Sequence, residues 1–220
     1  MIRAVIFDMD GVLIDTEKYY TKYWAEAGQM LGFPMERKHG LFLRSYSGKF
    51  CRPILEDMLG PAFDYDAVRN LRKELMEPKL LSDGIEKKPE ADMILDTLRA
   101  MKIKTAVATA SDIKRTEKYL KLIGLYEKFD EIICADMIEH GKPMPDIYRY
   151  ACERLHLKPS ECMAVEDSPN GILSAYQAGC AVVMVPDLTG PDEVLSAILT
   201  ACIKSLGEIK ALIEKERKIQ

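Results

Sequence analysis

The stretch IRAVIFDMDGVLIDTE, residues 2–17, decides the fold of this 220-residue chain. Its first six residues are apolar except for Arg3, which is the pattern of a strand buried on both faces of a parallel sheet. Two carboxylates, Asp8 and Asp10, end this strand. Residues two positions apart point to the same side of an extended chain, so both groups can face one crevice. The stretch therefore predicts a parallel sheet with a charged site at the carboxyl end of its first strand.

The pattern after residue 17 predicts a helical region followed by an α/β region. Helical periodicity covers residues 17–31, 49–59 and 64–76, and no strand-like run appears between residues 17 and 81. From residue 89 onward helices alternate with strands, which are predicted at residues 104–108, 131–135, 163–166 and 181–185, and a last helix lies near residues 206–217. This alternation predicts an α/β fold with a doubly wound, Rossmann-like parallel sheet.

The helical region is predicted to be an insertion, because the first strand must pair with the later strands across it. We predict an α/β core formed by residues 1–16 and 82–220 and an all-helical cap domain formed by residues 17–81. The cap segment carries 11 basic and 9 acidic residues, whereas the whole chain has a net charge of −4. A basic cap over an acidic core suits an anionic substrate bound to a cation, although a solvated mixture of charges explains the difference equally well.

Composition argues against several classes of protein. The chain has 31 basic and 35 acidic residues and no run of one sign, which gives no support to a nucleic-acid or membrane partner. Its apolar runs fall far short of the roughly 20 residues that cross a bilayer, and its first residues do not have a signal-peptide layout. The six cysteines form no C-x-x-C pair and are predicted to be reduced thiols. We therefore expect a cytoplasmic protein.

Polar side chains follow several predicted strands, where ligands bind in open α/β sheets. Thr109, Ala110 and Ser111 follow the second strand, Lys142 lies just before a helix, and Glu166 and Asp167 follow a later strand. Each group alone has an ordinary explanation, since Ser and Thr cap helices and most lysines are solvated. Together with Asp8 and Asp10 they are typical of a phosphate site that uses a hard cation such as Mg²⁺.

These motifs resemble those of the haloacid-dehalogenase superfamily of phosphohydrolases. The resemblance lies in DMDGVLIDTE at residues 8–17, TAS at 109–111, GKPMPD at 141–146 and EDSPNG at 166–171. The helical insertion is similar to the cap of the subfamily that holds the β-phosphoglucomutases and many small-metabolite phosphatases. The resemblance implies a Mg²⁺-dependent phosphatase that hydrolyses a sugar, polyol or nucleotide monophosphate, acting as a monomer or a weak dimer.

The resemblance also implies the roles of four catalytic residues. Asp8 is the nucleophile that forms an aspartyl phosphate, and Asp10 is the general acid and base. Thr109 and Lys142 hold the oxygens of the transferring phosphoryl group. A carboxylate can form such an intermediate, and a second carboxylate nearby can protonate the leaving alkoxide and then deprotonate the attacking water.

The metal and substrate sites follow from the same resemblance. Mg²⁺ is expected on Asp8, the Asp10 backbone carbonyl and Asp167, with Glu166 in contact with the ion or next to it. Ala110 and Ser111 join Thr109 and Lys142 as substrate-binding residues.

The cap offers Tyr20, Lys49, Arg44 and Arg52 as candidate substrate contacts. Basic and aromatic side chains can hold a phosphate, a sugar or a base, although exposed helix charges and a half-buried tyrosine explain each of them too. A small phosphorylated metabolite is the only partner that we predict.

Three other functions compete with a phosphatase. A β-phosphoglucomutase-like hexose-phosphate mutase uses the same intermediate, but in those enzymes a histidine stands where this chain has Tyr20. A signalling receiver domain has no helical insertion of this size. A 2-haloacid dehalogenase needs neither Mg²⁺ nor an acid at the position of Asp10.

Overall fold

Six parallel strands form the central sheet of the computed structural model, which describes residues 1–46 and 48–219. The strands are β1 (Ala4–Phe7), β2 (Lys104–Thr109), β3 (Glu131–Cys134), β4 (Cys162–Glu166), β5 (Ala181–Met184) and β6 (Ala201–Cys202). Their order in the sheet is β3-β2-β1-β4-β5-β6, and every neighbouring pair is parallel. The predicted parallel sheet is therefore confirmed.

Helices cover both faces of this sheet. They are α5 (Ala91–Ala100), α6 (Ile113–Leu122), α7 (Asp146–Arg154), α8 (Pro169–Ala178), α9 (Glu193–Ile198) and α10 (Ile209–Ile219). Val5 and Phe7 of β1 belong to one apolar cluster, whereas Ala4 and Ile6 belong to another. Because alternate residues of a strand face opposite sides, β1 is buried on both faces, as its apolar run predicts. This is the doubly wound arrangement.

Four helices form the cap between β1 and α5. They are α1 (Glu17–Met30), α2 (Arg37–Phe42), α3 (Gly48–Leu59) and α4 (Tyr65–Asp83). They enclose an apolar core of their own, which includes Trp24, Met35, Leu55 and Val68. The predicted all-helical cap is confirmed, while the exact boundaries at residues 16/17 and 81/82 stay a prediction. No helix in the described residues is both long and apolar enough to span a membrane.

The two linkers between core and cap run side by side. The Asp15 amide donates to the Glu86 carbonyl at 2.9 Å, and the Lys88 amide donates to the Leu13 carbonyl at 2.9 Å. The Lys88 ammonium also lies 3.2 Å from an Asp15 carboxylate oxygen. The chain thus leaves the core and returns to it at neighbouring points.

The structure differs from the sequence prediction at three places. Helix α2 was not predicted; it has six residues, and its start depends on the Glu36 amide donating to the ring Nδ1 of His39 at 2.9 Å. Helix α4 continues seven residues beyond its predicted end, because Met76 and Leu80 are both buried against the core. The third difference is α9 with the two-residue strand β6, which were not predicted because they are too short to show a clear hydrophobic period.

The register of the sheet sets the position of the site. Phe7 pairs with Val165 of β4 and with Val107 of β2. The next residue, Asp8, is therefore level with Glu166 and lies between two neighbouring strand ends. Strands β2 and β3 lie on one side of β1, and strands β4, β5 and β6 lie on the other. Open α/β sheets bind ligands at such a switch point.

Candidate active site

Asp8 is held in place by a buried lysine. The Lys142 ammonium donates to Asp8 Oδ1 and to Glu166 Oε1, both at 2.6 Å. The Tyr148 hydroxyl donates to the same Glu166 oxygen at 2.6 Å. Lys142 is fully buried, and burial alone would lower its pKa, but the two carboxylates raise it above its ordinary value. The lysine therefore keeps its charge beside Asp8.

The Asp8 carboxyl group has a high pKa. Burial raises this pKa to about 7, the Glu166 charge adds to the rise, and Lys142 opposes it. The Asp8 backbone amide donates to the Val165 carbonyl at 2.9 Å, so the residue continues the hydrogen bonding of the sheet. A carboxylate fixed by strand and lysine is well placed to act as a nucleophile at a defined point.

Asp10 faces a different set of donors. Arg115 on α6 contacts both of its carboxylate oxygens, at 2.6 and 2.9 Å. The Ser111 hydroxyl donates to Asp10 Oδ2 at 3.2 Å, and the Thr16 hydroxyl donates to Oδ1. Burial would raise the pKa of Asp10, but Arg115 and these hydrogen bonds lower it below its ordinary value. This arrangement favours the ionised form of Asp10.

Three carboxylates converge on a place that could hold a cation. Oxygen atoms of Asp8, Glu166 and Asp167 all lie within 4.8 Å of one another. Asp167 Oδ1 is buried without a hydrogen-bond partner in the described part of the chain, while Oδ2 accepts a bond from Arg44 at 3.2 Å. A Cβ atom on Gly11 would lie only 2.6 Å from Asp167 Oδ2, so glycine keeps this space open.

Charge balance also favours a cation there. Glu17, at the start of α1, is a further buried carboxyl group, and burial followed by the charge of Asp10 raises its pKa to about 8. Burial also raises the pKa of Asp167, to which the charge of Glu17 adds. Buried carboxylates in this density repel each other unless a cation or proton intervenes. Oxygen ligands and excess negative charge fit a hard divalent cation such as Mg²⁺.

The cap meets the core at the same place. The Arg44 guanidinium bonds the Thr189 hydroxyl as well as Asp167, and its side chain is almost fully buried. From the core, the Asn170 side-chain amide donates to the Arg44 carbonyl at 2.8 Å and to the Phe42 carbonyl at 3.4 Å. Arg44 thus ties the cap to the core, a role that its prediction as a substrate contact does not include.

A cavity of about 380 Å³ lies between the cap and the carboxyl ends of the strands. Its core-side wall contains Asp8, Asp10, Thr109, Ala110 and Ser111. Its cap-side wall contains Glu17, Tyr20, Arg44, Lys49, Arg69 and Arg72. Lys142, Glu166 and Asp167 do not line it, because they are fully buried.

The structure therefore brings most of the predicted site residues together. Lys49 lines the cavity and donates to the Glu139 carbonyl at 3.0 Å. Arg52 does not line it; this arginine is exposed and lies 2.6 Å from Asp66. Thr109 is buried at the end of β2, and its hydroxyl accepts the Ser111 amide at 3.1 Å.

Sequence reasoning missed Arg115, Glu17, Tyr148 and Arg72. Arg115 lies in the first turn of the helix that follows the TAS motif, a position that could have raised it as a candidate. Glu17 ends the first motif, and its acidic side chain offered a similar signal. Tyr148 and Arg72 carry no signal in the sequence, since only the fold brings them to Glu166 and to the cavity.

Comparison with known proteins gives consistent matches. The family model of the haloacid dehalogenase-like hydrolases matches residues 2–179. The chain is 30% identical to the phosphorylated carbohydrates phosphatase of Thermotoga maritima over 92% of this chain and 94% of that protein. It is 31% identical to the fructose-1-phosphate phosphatase YqaB of Escherichia coli over 83% of this chain and 95% of that protein.

The fold has solved counterparts. The β-phosphoglucomutase of Clostridium difficile superposes with a TM-score of 0.82, over 100% of this chain and 99% of that one. The two sequences are 24% identical, so the likeness concerns the fold alone.

Proposed function

Since the chain belongs to the haloacid dehalogenase-like hydrolases, we propose that it is a phosphomonoesterase that uses Mg²⁺ and a covalent aspartyl phosphate to hydrolyse a small phosphorylated sugar or a related metabolite. One observation carries the proposal. Asp8 lines a cavity under the cap, is bonded to Lys142 at 2.6 Å, and has a carboxylate oxygen within 4.8 Å of one from Asp167.

The reaction would begin with attack by an Asp8 oxygen on phosphorus. The bond between phosphorus and the ester oxygen breaks, and Asp10 gives a proton to the leaving alkoxide. Asp10 then removes a proton from a water that attacks the phosphorus of the aspartyl phosphate. The bond to Asp8 breaks, and inorganic phosphate leaves. Arg115 favours the ionised Asp10, which is the form that this second step requires. The first step uses the protonated form of Asp10, which the attack of water regenerates in each turnover.

The other site residues would bind and neutralise the phosphoryl group. Thr109 and Lys142 offer a hydroxyl and an ammonium group to its oxygens, which stabilises the charge in the transition state. Mg²⁺, when held by Asp8, Asp167 and the Asp10 backbone carbonyl, supplies further positive charge. Because Glu166 Oε1 already accepts bonds from Lys142 and Tyr148, we propose that Glu166 mainly positions the lysine.

The names of the relatives support a sugar phosphate as substrate. One is a phosphatase of phosphorylated carbohydrates and another acts on fructose 1-phosphate. A cavity of about 380 Å³ is in the range of small-molecule sites. Tyr20, Lys49, Ala110 and Ser111 line it and are proposed to contact the substrate.

A panel of sugar, polyol and nucleotide monophosphates tests the proposal. We expect Mg²⁺-dependent phosphate release from sugar or polyol phosphates, lost on addition of EDTA and restored by excess Mg²⁺. Lack of release from every member would refute the phosphatase. Transfer of labelled phosphate back to a sugar, dependent on a bisphosphate activator, would instead identify a mutase.

The division into a core of residues 1–16 and 82–220 and a cap of residues 17–81 is also part of the proposal. The separate apolar cluster of the cap supports it. All six cysteines are free thiols, which is compatible with the reducing cytoplasm that we propose as the location. Gel filtration is expected to give a monomer or a weak dimer.

A further inference from the structure

Arg72 is a buried cation without a hydrogen-bond partner in the described residues. It lies on α4, in the wall that the cap contributes to the cavity above Asp8. The Arg72 side chain is 8% exposed, and its Nε atom is buried without an acceptor. No carboxylate of the described residues lies within 4.0 Å of its guanidinium nitrogens. Buried arginines are rare unless they are paired, because the charge is costly to remove from water.

Aromatic rings account for only part of the Arg72 environment. The guanidinium carbon lies 4.7 Å from the ring centroid of Tyr20 and 4.8 Å from that of Trp24. Such contacts favour a cation over the ring face, and they fix the orientation of the guanidinium. They do not accept its N–H groups, which remain free to donate to a ligand in the cavity.

Two further cations on α4, the half-buried Arg69 and the exposed Lys73, lie near Arg72. Arg69 and Lys73 also line the cavity, and neither forms an ion pair with a described carboxylate. In contrast Arg115, which lies 5.0 Å from the same Tyr20 ring, is neutralised by Asp10 at 2.6 Å. On the α4 wall of the cavity, Arg72 and Arg69 therefore carry positive charge with no described carboxylate within 4.0 Å, whereas Lys73 also interacts electrostatically with Asp112 and Glu77.

This charge lies on a different wall from the groups that would hold the reacting phosphoryl group. Asp8 and Thr109 belong to the strand ends, and Lys142 lies beneath them. Arg72 belongs to the cap and lines the same cavity. A substrate that reaches from the strand ends to α4 would place its far end against Arg72. An uncharged end would leave the guanidinium without a partner, which is unfavourable in a buried site.

We propose that Arg72, assisted by Arg69 and Lys73, binds a second anionic group of the substrate, a carboxylate or a second phosphate remote from the phosphoryl group that reacts at Asp8. This inference rests on the proposed function. The planar guanidinium, oriented by two rings, matches the paired oxygens of either anion. The substrate class is then a phosphomonoester of a sugar acid or a sugar bisphosphate.

Matched substrate pairs test this inference by turnover. Sorbitol 6-phosphate and 6-phosphogluconate differ in a hydroxymethyl or carboxylate end, and fructose 1-phosphate and fructose 1,6-bisphosphate differ in a second phosphate. In at least one pair we expect wild-type kcat/KM to favour the charged member by about tenfold or more. The pair that shows the preference identifies which anion is bound.

Three variants assign this preference to Arg72. Arg72→Met keeps most of the side-chain volume and is expected to lower the charged-to-uncharged ratio about tenfold, mainly through KM. Arg72→Lys restores the charge and is expected to recover part of the ratio, which shows that the loss in Arg72→Met is not a folding defect. Arg52→Met removes an exposed arginine of the same cap that does not line the cavity, and the ratio is expected to stay unchanged.

A binding measurement makes the test independent of turnover. Asp8→Asn protein, with and without Arg72→Met, is titrated calorimetrically with the four compounds. Tighter binding of a charged member that disappears with Arg72→Met supports the inference even if no phosphate is released. Release from uncharged members with no preference overturns the inference and leaves the phosphatase standing. Equal binding of both members of each pair, or a preference that persists in Arg72→Met, also overturns it.

Discussion

The carboxyl group of Asp8 makes the sharpest prediction for a single residue. We expect Asp8→Asn to reduce phosphate release by at least about a thousandfold, because the amide cannot act as the nucleophile. The substitution is nearly isosteric, so the amide oxygen can still accept the bond from Lys142. Circular dichroism and thermal unfolding should show an intact fold. Substantial turnover by this variant would contradict the aspartyl phosphate.

Arg115 is expected to matter through Asp10. The Arg115 guanidinium bonds both oxygens of the Asp10 carboxylate and so holds it in position. Displacing a catalytic acid or base from its position can slow the reaction about a hundredfold. We expect Arg115→Met to lower kcat by about ten- to a hundredfold. Lys118→Met is the control, since Lys118 lies on the same helix, is exposed and pairs with Glu77.

A double-mutant cycle separates this effect from general damage. In an Asp10→Asn background, Arg115→Met should cause little further loss of kcat, because the two residues act together. Equal losses in both backgrounds would show that Arg115 does not act through Asp10.

Helix α4 gives a prediction at the scale of an element. Leu80 lies beyond the predicted end of this helix and is fully buried against the core, whereas its neighbour Leu81 is 41% exposed. We expect Leu80→Ala to lower the free energy of unfolding by about 2–5 kcal/mol and Leu81→Ala by less than about 1 kcal/mol. Urea unfolding measures both. Similar losses for the two variants would mean that the last turns of α4 do not pack on the core.

The same helix shows where prediction from sequence ends. The apolar pattern of β1 and the alternation after residue 89 were enough to predict the sheet, because a strand buried on both faces has a distinctive composition. The last turns of α4 are held by packing on a distant part of the chain. Hydrophobic periodicity in the sequence does not show such packing. Helix α2 depends on one side-chain hydrogen bond to His39 within six residues.

The candidate site likewise has residues that the sequence predicts and others that it does not. Asp8, Thr109, Glu166 and Asp167 were predictable as a group, because strand ends of a parallel sheet share one edge. The role proposed for Arg72 was not predictable, since it rests on the absence of an acceptor for Arg72 Nε among the described residues and on the rings of Tyr20 and Trp24, which only the packed cap reveals.

At the scale of the whole molecule, a divalent cation should stabilise the fold. Asp8 follows β1 whereas Glu166 ends β4 and Asp167 follows it, so the three carboxylates are distant in sequence and a cation bound by them binds only the folded chain. At a Mg²⁺ concentration about 100 times Kd, we expect a stabilisation of about 2.7 kcal/mol, measured by thermal unfolding. Asp167→Asn should weaken this shift. Asp66→Asn, which removes an exposed cap carboxylate, should leave it unchanged. An unfolding temperature insensitive to Mg²⁺ in wild type would contradict the cation site.

The paired linkers have an architectural consequence. Because the Asp15 amide bonds the Glu86 carbonyl at 2.9 Å, the chain departs from the sheet and rejoins it at almost the same spot. A segment inserted between two such neighbouring points need not distort the α/β core beneath it, whatever the length of the segment. The α/β core can therefore keep its chemistry while the inserted cap is exchanged, lengthened or shortened, and the two parts can evolve separately.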